Sequence, residues 1–241
     1  MTAINDHLVL ISGTSGTGKS ASLMNLRDPE GVMYLNCEAG KKLPFANKFK
    51  TGIITDPYQV YDSFDHAKDN PNYHTIVVDT LTFLMDMYES QFVLGTKNTM
   101  EGWSNYAQYF KKLMQDKVAN SDKNVMFLAH TLPILNENEM IMETKVPVKG
   151  SLKNQGIEAY FSTVVSTKKV AINVLENYQS DMLNITDQER MLGFKYVFQT
   201  QLTKDTVGDR IRSPMGLFTQ QQTYIDNDAQ KLMDHLTHYY Q

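Results

Sequence analysis

Residues Gly13, Thr14, Ser15, Gly16, Thr17, Gly18, Lys19 and Ser20 follow one another in a short glycine-rich run that ends in Lys-Ser. The run matches G-x-x-x-x-G-K-[ST] at every fixed position. Its glycines let the backbone curl until successive N–H groups face a single anion. The helical pattern that follows adds the partial positive charge of a helix N-terminus. Such a cradle is suited to the phosphates of a nucleotide, with the Lys19 ammonium reaching the β and γ groups and the Ser20 hydroxyl ligating Mg²⁺. Ala21 completes the set of expected nucleotide contacts.

A phosphate loop needs a carboxylate at a strand end to hold the magnesium shell. Ile76-Val77-Val78-Asp79 supplies one, and the hydroxyls of Thr80 and Thr82 stand next to it. Asp79 also fits as a cap of the following helix, and the two roles are compatible. Glu38, just after the run Val32–Asn36, is a candidate to polarise an attacking water as base or orienting group. The alternative for Glu38 is a solvated loop glutamate. Asp79 is followed by Thr80 and not by a second acid, which favours a RecA-type arrangement over an AAA machine. The run Asn124–Ala129 ends in His130-Thr131. Either residue is placed to sense a γ-phosphate, and a satisfied strand-end histidine is an equal alternative.

These residues need a scaffold that brings several strand ends to one edge. His7–Ser12, Val32–Asn36, Gly52–Thr55, His74–Asp79 and Asn124–Ala129 read as strands. Helical stripes lie between them, at Lys19–Leu26, around Tyr58, Tyr61 and Phe64, and around Tyr106, Tyr109, Phe110 and Leu113. Alternation of this kind predicts an α/β fold: a mainly parallel central sheet with helices on both faces and right-handed crossovers. The second half changes character. Met140–Val148, Tyr160–Ser166, Lys169–Leu175 and Phe194–Leu202 read as strands with few helices between, which predicts an antiparallel extension. A closing helix over about residues 227–240 carries Ala229, Leu232, Met233, Leu236 and Tyr240 on its apolar face, capped by Asp226 or Asn227. No linker interrupts the 241 residues, so a single domain over 1–241 is expected.

Composition narrows the class further. Cys37 is the lone cysteine, the six histidines are scattered, and 41% of residues are apolar. An intramolecular disulfide and a cysteine metal cage are therefore excluded. No apolar run approaches the ~20 residues of a membrane span, and Met1–His7 lacks the regions of a signal peptide, so a cytoplasmic location without membrane contact is expected. A net charge of −4 means that any nucleic-acid contact must use a local basic patch.

Gly13–Ser20, the Leu35-Asn36-Cys37-Glu38 strand end, Ile76–Thr82 and Phe127-Leu128-Ala129-His130 together resemble phage-encoded nucleotide-binding proteins of the RecA superfamily, among them the single-strand annealing ATPases of phage recombination. The resemblance is clear over about residues 7–131. It implies a RecA-type core, ATP and Mg²⁺ as ligands, ATP hydrolysis, binding of single-stranded DNA and self-assembly into rings or filaments. A single-strand-binding protein is a further partner it suggests, and the host cytoplasm a location. The resemblance also maps DNA contacts to segments after the central strands. One is Phe92–Asn105, with Lys97 and Trp103, near Tyr106. The other is Thr144–Lys169, with Lys145, Lys149, Lys153, Lys168 and Lys169 against the single acid Glu158. Trp103 and Tyr106 have core packing as their alternative, and the lysines a solvated face. The turn Lys204–Arg212 offers Arg210 first, and Lys204 or Arg212 otherwise, as a cation acting on the nucleotide of an adjacent subunit. The stretch Asn173–Gly193 reads as an insertion. Two other functions stand beside the recombination ATPase. One is an ATP-gated loader or adaptor acting on a protein; the other is a small-molecule kinase, for which no arginine-rich lid is evident.

Overall fold

A computed structural model describes residues 5–137 and 140–241. The opening residues, on which part of the signal-peptide argument rests, lie outside the described residues. Among those described, no helix is long and apolar enough to cross a membrane.

Ten strands are described: β1 (Leu8–Gly13), β2 (Val32–Asn36), β3 (Lys50–Ile53), β4 (Thr75–Asp79), β5 (Asn124–His130), β6 (Leu132–Asn136), β7 (Ile141–Lys145), β8 (Thr163–Ala171), β9 (Phe194–Gln199) and β10 (Tyr224–Asp226). Eight form one sheet in the order β10-β9-β8-β1-β5-β4-β2-β3. From β8 to β3 every pairing is parallel, and β9 and β10 add the antiparallel extension. The mainly parallel α/β architecture read from the sequence is thus the architecture observed. β4 shows why its residues make such a strand. All five are buried; Ile76 and Val78 enter the core on one face and Val77 the core on the other. Helices α1 (Tyr58–Lys68), α2 (Leu81–Tyr88) and α3 (Thr99–Lys112) cover the first face. The tight helical segment after the phosphate loop (Ser20–Asn25) and the C-terminal helix (Ala229–Tyr240) cover the second.

Because β1, β2, β4 and β5 run parallel, their C-terminal ends share one edge of the sheet. Register aligns them: Gly13 pairs with His130, and Asn36 with Asp79. β5 lies between the loop strand β1 and the carboxylate strand β4. That intervening strand belongs to the RecA and AAA branch and differs from the adjacent arrangement usual in small-molecule kinases.

Several local expectations are corrected. Tyr160–Ser166 and Lys169–Leu175 are not two strands. One strand, Thr163–Ala171, runs through the polar Thr167-Lys168-Lys169 because Lys168 pairs with Asp209 and Lys169 lies 3.7 Å from the Phe194 ring centre. Residues Ile172–Leu175 instead form a helical turn that buries both ends. β6 joins β7 in a separate hairpin. Phe92–Asn105 is not a loop throughout: Asn98 accepts a hydrogen bond from the Glu101 N–H and starts α3, which contains Trp103. The closing helix is capped by Asp228, which accepts from the Gln230 and Lys231 N–H groups, and not by Asp226 or Asn227. The 173–193 stretch packs as part of the domain, burying Leu175 and Met182, with the Met182 carbonyl accepting from the Asp226 N–H at 2.8 Å.

Candidate active site

The loop from β1 to the Ser20 segment curls through two glycines in the left-handed region, Gly16 (φ +77°) and Gly18 (φ +95°). Gly13 is needed for a different reason. A Cβ there would lie 2.1 Å from Thr167 Oγ1 and 2.9 Å from the Thr167 carbonyl, so β8 sits directly against the loop. Thr17 and Thr167 join their hydroxyls at 2.6 Å, and Asn227 Nδ2 donates to the Gly18 carbonyl at 2.9 Å. The loop is therefore held from β8 and from the segment before the C-terminal helix.

Lys19 is buried and donates from Nζ to the carbonyls of Gly13 (3.0 Å) and Thr14 (2.8 Å). Burial pulls its ammonium down to about 8, against the opposing pull of Asp79 and Glu38. A phosphate offers this cation a stronger acceptor than two neutral carbonyls.

Asp79 is 2% exposed. Its Oδ2 accepts from the Ser20 hydroxyl at 2.8 Å and the Tyr34 hydroxyl at 2.7 Å, while Oδ1 is buried with no hydrogen-bond partner. Burial raises its pKa, and the two hydroxyl donors oppose the rise. Ser20 Oγ and an orphaned carboxylate oxygen form a hard oxygen pair that fits Mg²⁺, an ion commonly held by one or two protein oxygens together with substrate phosphates. Among the described residues no group of three or more His, Cys, Asp or Glu forms a metal cage.

Glu38 stands at the end of β2 with both oxygens engaged. Oε2 accepts from Lys41 Nζ at 2.7 Å; Oε1 lies 3.1 Å from His130 Nε2 and 3.4 Å from the Thr80 hydroxyl. Burial pushes its carboxyl upward, but the hydrogen bonds from Lys41 and His130 outweigh it, leaving the pKa below the ordinary value. His130 is fixed at its backbone, where its N–H donates to Thr82 Oγ1 at 3.0 Å. Thr131 is buried, and its hydroxyl has no hydrogen-bond partner.

A cavity of about 390 Å³ opens over these groups. The loop residues Ser15, Gly16, Gly18, Lys19, Ser20 and Ala21 line it together with Tyr34, Glu38, Asp79 and His130. Lys41, Lys42, Leu43 and Pro44 close one side, and Tyr196 and Asn227 also contribute. Lys19, Ser20, Asp79, Glu38 and His130 thus line one cavity. Tyr34, Lys41, Tyr196 and Asn227 were not among the expected site residues. Tyr34 had a signal: it carries a hydroxyl within the buried apolar run Val32–Asn36.

The other expected residues lie elsewhere. Arg210 donates to Glu143 of β7 at 3.1 Å, and neither it, Lys204 nor Arg212 lines the cavity. Lys204 borders a separate groove with Tyr178 and Tyr224. The lysine segment is not a free basic patch: Lys145 pairs with Glu143 at 3.2 Å and Lys149 with Glu89 at 2.5 Å. Among the described residues Lys97 and Lys153 are exposed without a side-chain partner. Trp103 is half-buried edge-on to Tyr106, and Tyr106 is 2% exposed in the core.

A family model described as an AAA domain matches residues 6–196, most of the chain. The chain belongs to this family, and so to the P-loop NTPases that bind ATP. The finer preference drawn from Thr80, for RecA over AAA, is not what the family's description says; the intervening β5 is common to both branches. None of the curated protein sequences matches the chain.

Proposed function

We propose that this protein hydrolyses ATP with Glu38 as the residue that orients and deprotonates water, and that it spends the cycle on single-stranded DNA as an oligomer. The observation that carries the ATPase part is the meeting of five groups at one strand-end edge: the Lys19 ammonium, the Ser20–Asp79 oxygen pair and the Glu38–His130 pair. Lys19 neutralises charge on the β and γ phosphates. Ser20 and Asp79 would hold Mg²⁺, which would supply positive charge to neutralise the phosphate oxygens. Glu38 takes a proton from a water whose oxygen bonds to the γ phosphorus. The bond from that phosphorus to the bridging oxygen breaks with its electron pair going to ADP, and the proton leaves with phosphate. His130 holds Glu38 in position.

The DNA and assembly parts rest on the resemblance to phage recombination ATPases and on the exposed Lys97 and Lys153. A small-molecule kinase is disfavoured by the strand order, in which β5 separates β1 from β4. The adaptor reading draws support from the β6–β7 hairpin, which leads directly from His130 and exposes Leu132, Leu135 and Met142.

The test is ATPase rate against protein concentration, with and without single-stranded DNA, using Lys19→Ala as the inactive control. DNA stimulation with a steep concentration dependence is expected. Hydrolysis that ignores DNA and stays strictly proportional to protein concentration refutes the DNA and assembly parts. Equal rates for wild type and Lys19→Ala refute the site.

A further inference from the structure

The segment after Glu38 is built to bring a second cation to the phosphates. Ala39 (φ +51°) and Gly40 (φ +77°) form consecutive left-handed positions, and the Lys41 N–H closes the turn on the Glu38 carbonyl at 3.0 Å. Such a turn brings its two end residues together. Asn36, buried at the end of β2, staples it: the Glu38 N–H donates to Asn36 Oδ1 at 2.9 Å, and Asn36 Nδ2 donates to the Lys41 carbonyl at 2.8 Å. The backbone of Lys41 is thereby fixed beside Glu38 at the cavity wall. Its side chain is 68% exposed, so little packing opposes movement of the flexible stem. The Lys41 charge is felt by Lys19, Glu38 and Asp79 alike, which puts it within electrostatic reach of the whole cradle.

We propose that Lys41 is a γ-phosphate-contacting residue supplied by the chain's own site, held by Glu38 at rest and exchanged onto a bound nucleoside triphosphate. The exchange follows from charge. Lys41 now faces one carboxylate, whereas a terminal phosphate presents more negative charge on three oxygens. Its departure leaves Glu38 Oε2 free to accept from water, so one cation both quiets the base at rest and neutralises the phosphate in the loaded site. Arg210 and Lys204 do not line this cavity, so within one chain the added positive charge comes from the loop after β2. The proposal rests on the reading of the site as a triphosphate hydrolase, and its bond changes are those already given.

The experiment measures equilibrium binding of ATP and of ADP to the full chain in Mg²⁺, for wild type, Lys41→Ala and Lys41→Arg. Loss of one charged hydrogen bond predicts about 10- to 100-fold weaker ATP binding by Lys41→Ala, with ADP changed by less than about threefold. Lys41→Arg keeps the wild-type preference for ATP over ADP. A wild-type ratio of ATP to ADP affinity in Lys41→Ala overturns the proposal. So does an equal loss of both ligands, since Lys41 would then act through the loop's structure. Wild-type protein that binds neither nucleotide overturns the reading of the site, and this proposal with it; intact ATP binding in wild type confines any failure to Lys41.

Discussion

Replacing Glu38 by Gln removes a charge and little else, which makes it the sharpest probe of the site. The amide keeps the shape of the side chain, and its carbonyl oxygen can still accept from Lys41 or from a His130 N–H. The ion pair with Lys41 is lost, but that lysine is 68% exposed, so solvent already screens the pair. Glu38 itself is 10% exposed, so the pair is open to solvent only on its lysine side; taken at the upper end for exposed pairs, about 1 kcal/mol, its loss shifts the melting temperature by roughly 2–4 °C in a domain of this size. The phosphate cradle is built from other residues, namely Gly13 to Ser20 with Asp79, so nucleotide binding is retained. Turnover behaves differently. A lost general base costs about 10²- to 10⁴-fold in the chemical step. Three measurements on one preparation separate these effects: a thermal melt, ATP binding at equilibrium, and phosphate release in a single turnover. A folded variant that binds ATP and releases phosphate within about threefold of wild type refutes the assignment of Glu38, because the loss expected of a base would be absent.

Gly13→Ala drives a methyl group into Thr167 Oγ1 and the Thr167 backbone, and overpacking against backbone costs about 1–3 kcal/mol; reduced stability together with lost ATP affinity, read by melting and binding, is the expected outcome. Glu38 also sets a pH dependence. Its carboxyl is depressed below the ordinary 4.5 by the Lys41 and His130 hydrogen bonds, in the presence of Thr80, Asp79 and Lys19. Its favourable interactions are therefore complete above the unfolded value and lost only as pH falls through the lower folded one. The acid limb of kcat/KM accordingly lies below pH 4.5 and moves to higher pH in His130→Ala; a limb that stays in place would contradict the role of His130. Two unpaired lysines, Lys97 and Lys153, predict a log–log salt slope of about −1.4 for binding to single-stranded DNA. Reversing the charge at Lys153 reduces that slope while leaving ATP affinity unchanged, and salt-independent DNA affinity would remove both lysines from the interface.

What could be read from the sequence, and what could not, follows from how far each signal reaches along the chain. The phosphate loop is local: eight consecutive residues carry both the glycines that curl it and the groups that bind. Asp79, Glu38 and His130 were legible because each closes a buried apolar run, and parallel strands align such ends without further information. The loop's supports were not legible, because they are tertiary. Thr167 is more than a hundred residues from Gly13, and Asn227 farther still from Gly18, yet each touches it. The lysine segment misled for the same reason. Counted along the chain it holds one acid, but Glu143 lies just outside it and Glu89 and Asp209 arrive from other parts of the fold to neutralise three of its cations. Lys41 is the opposite case. It sits three residues from Glu38, within local reach, but becomes chemically meaningful only once Ala39 and Gly40 turn the chain back and Asn36 holds it there. The loop after β2 thus sets a cation beside Glu38 at the cavity wall, whereas the distant turn of Arg210 does not line that cavity.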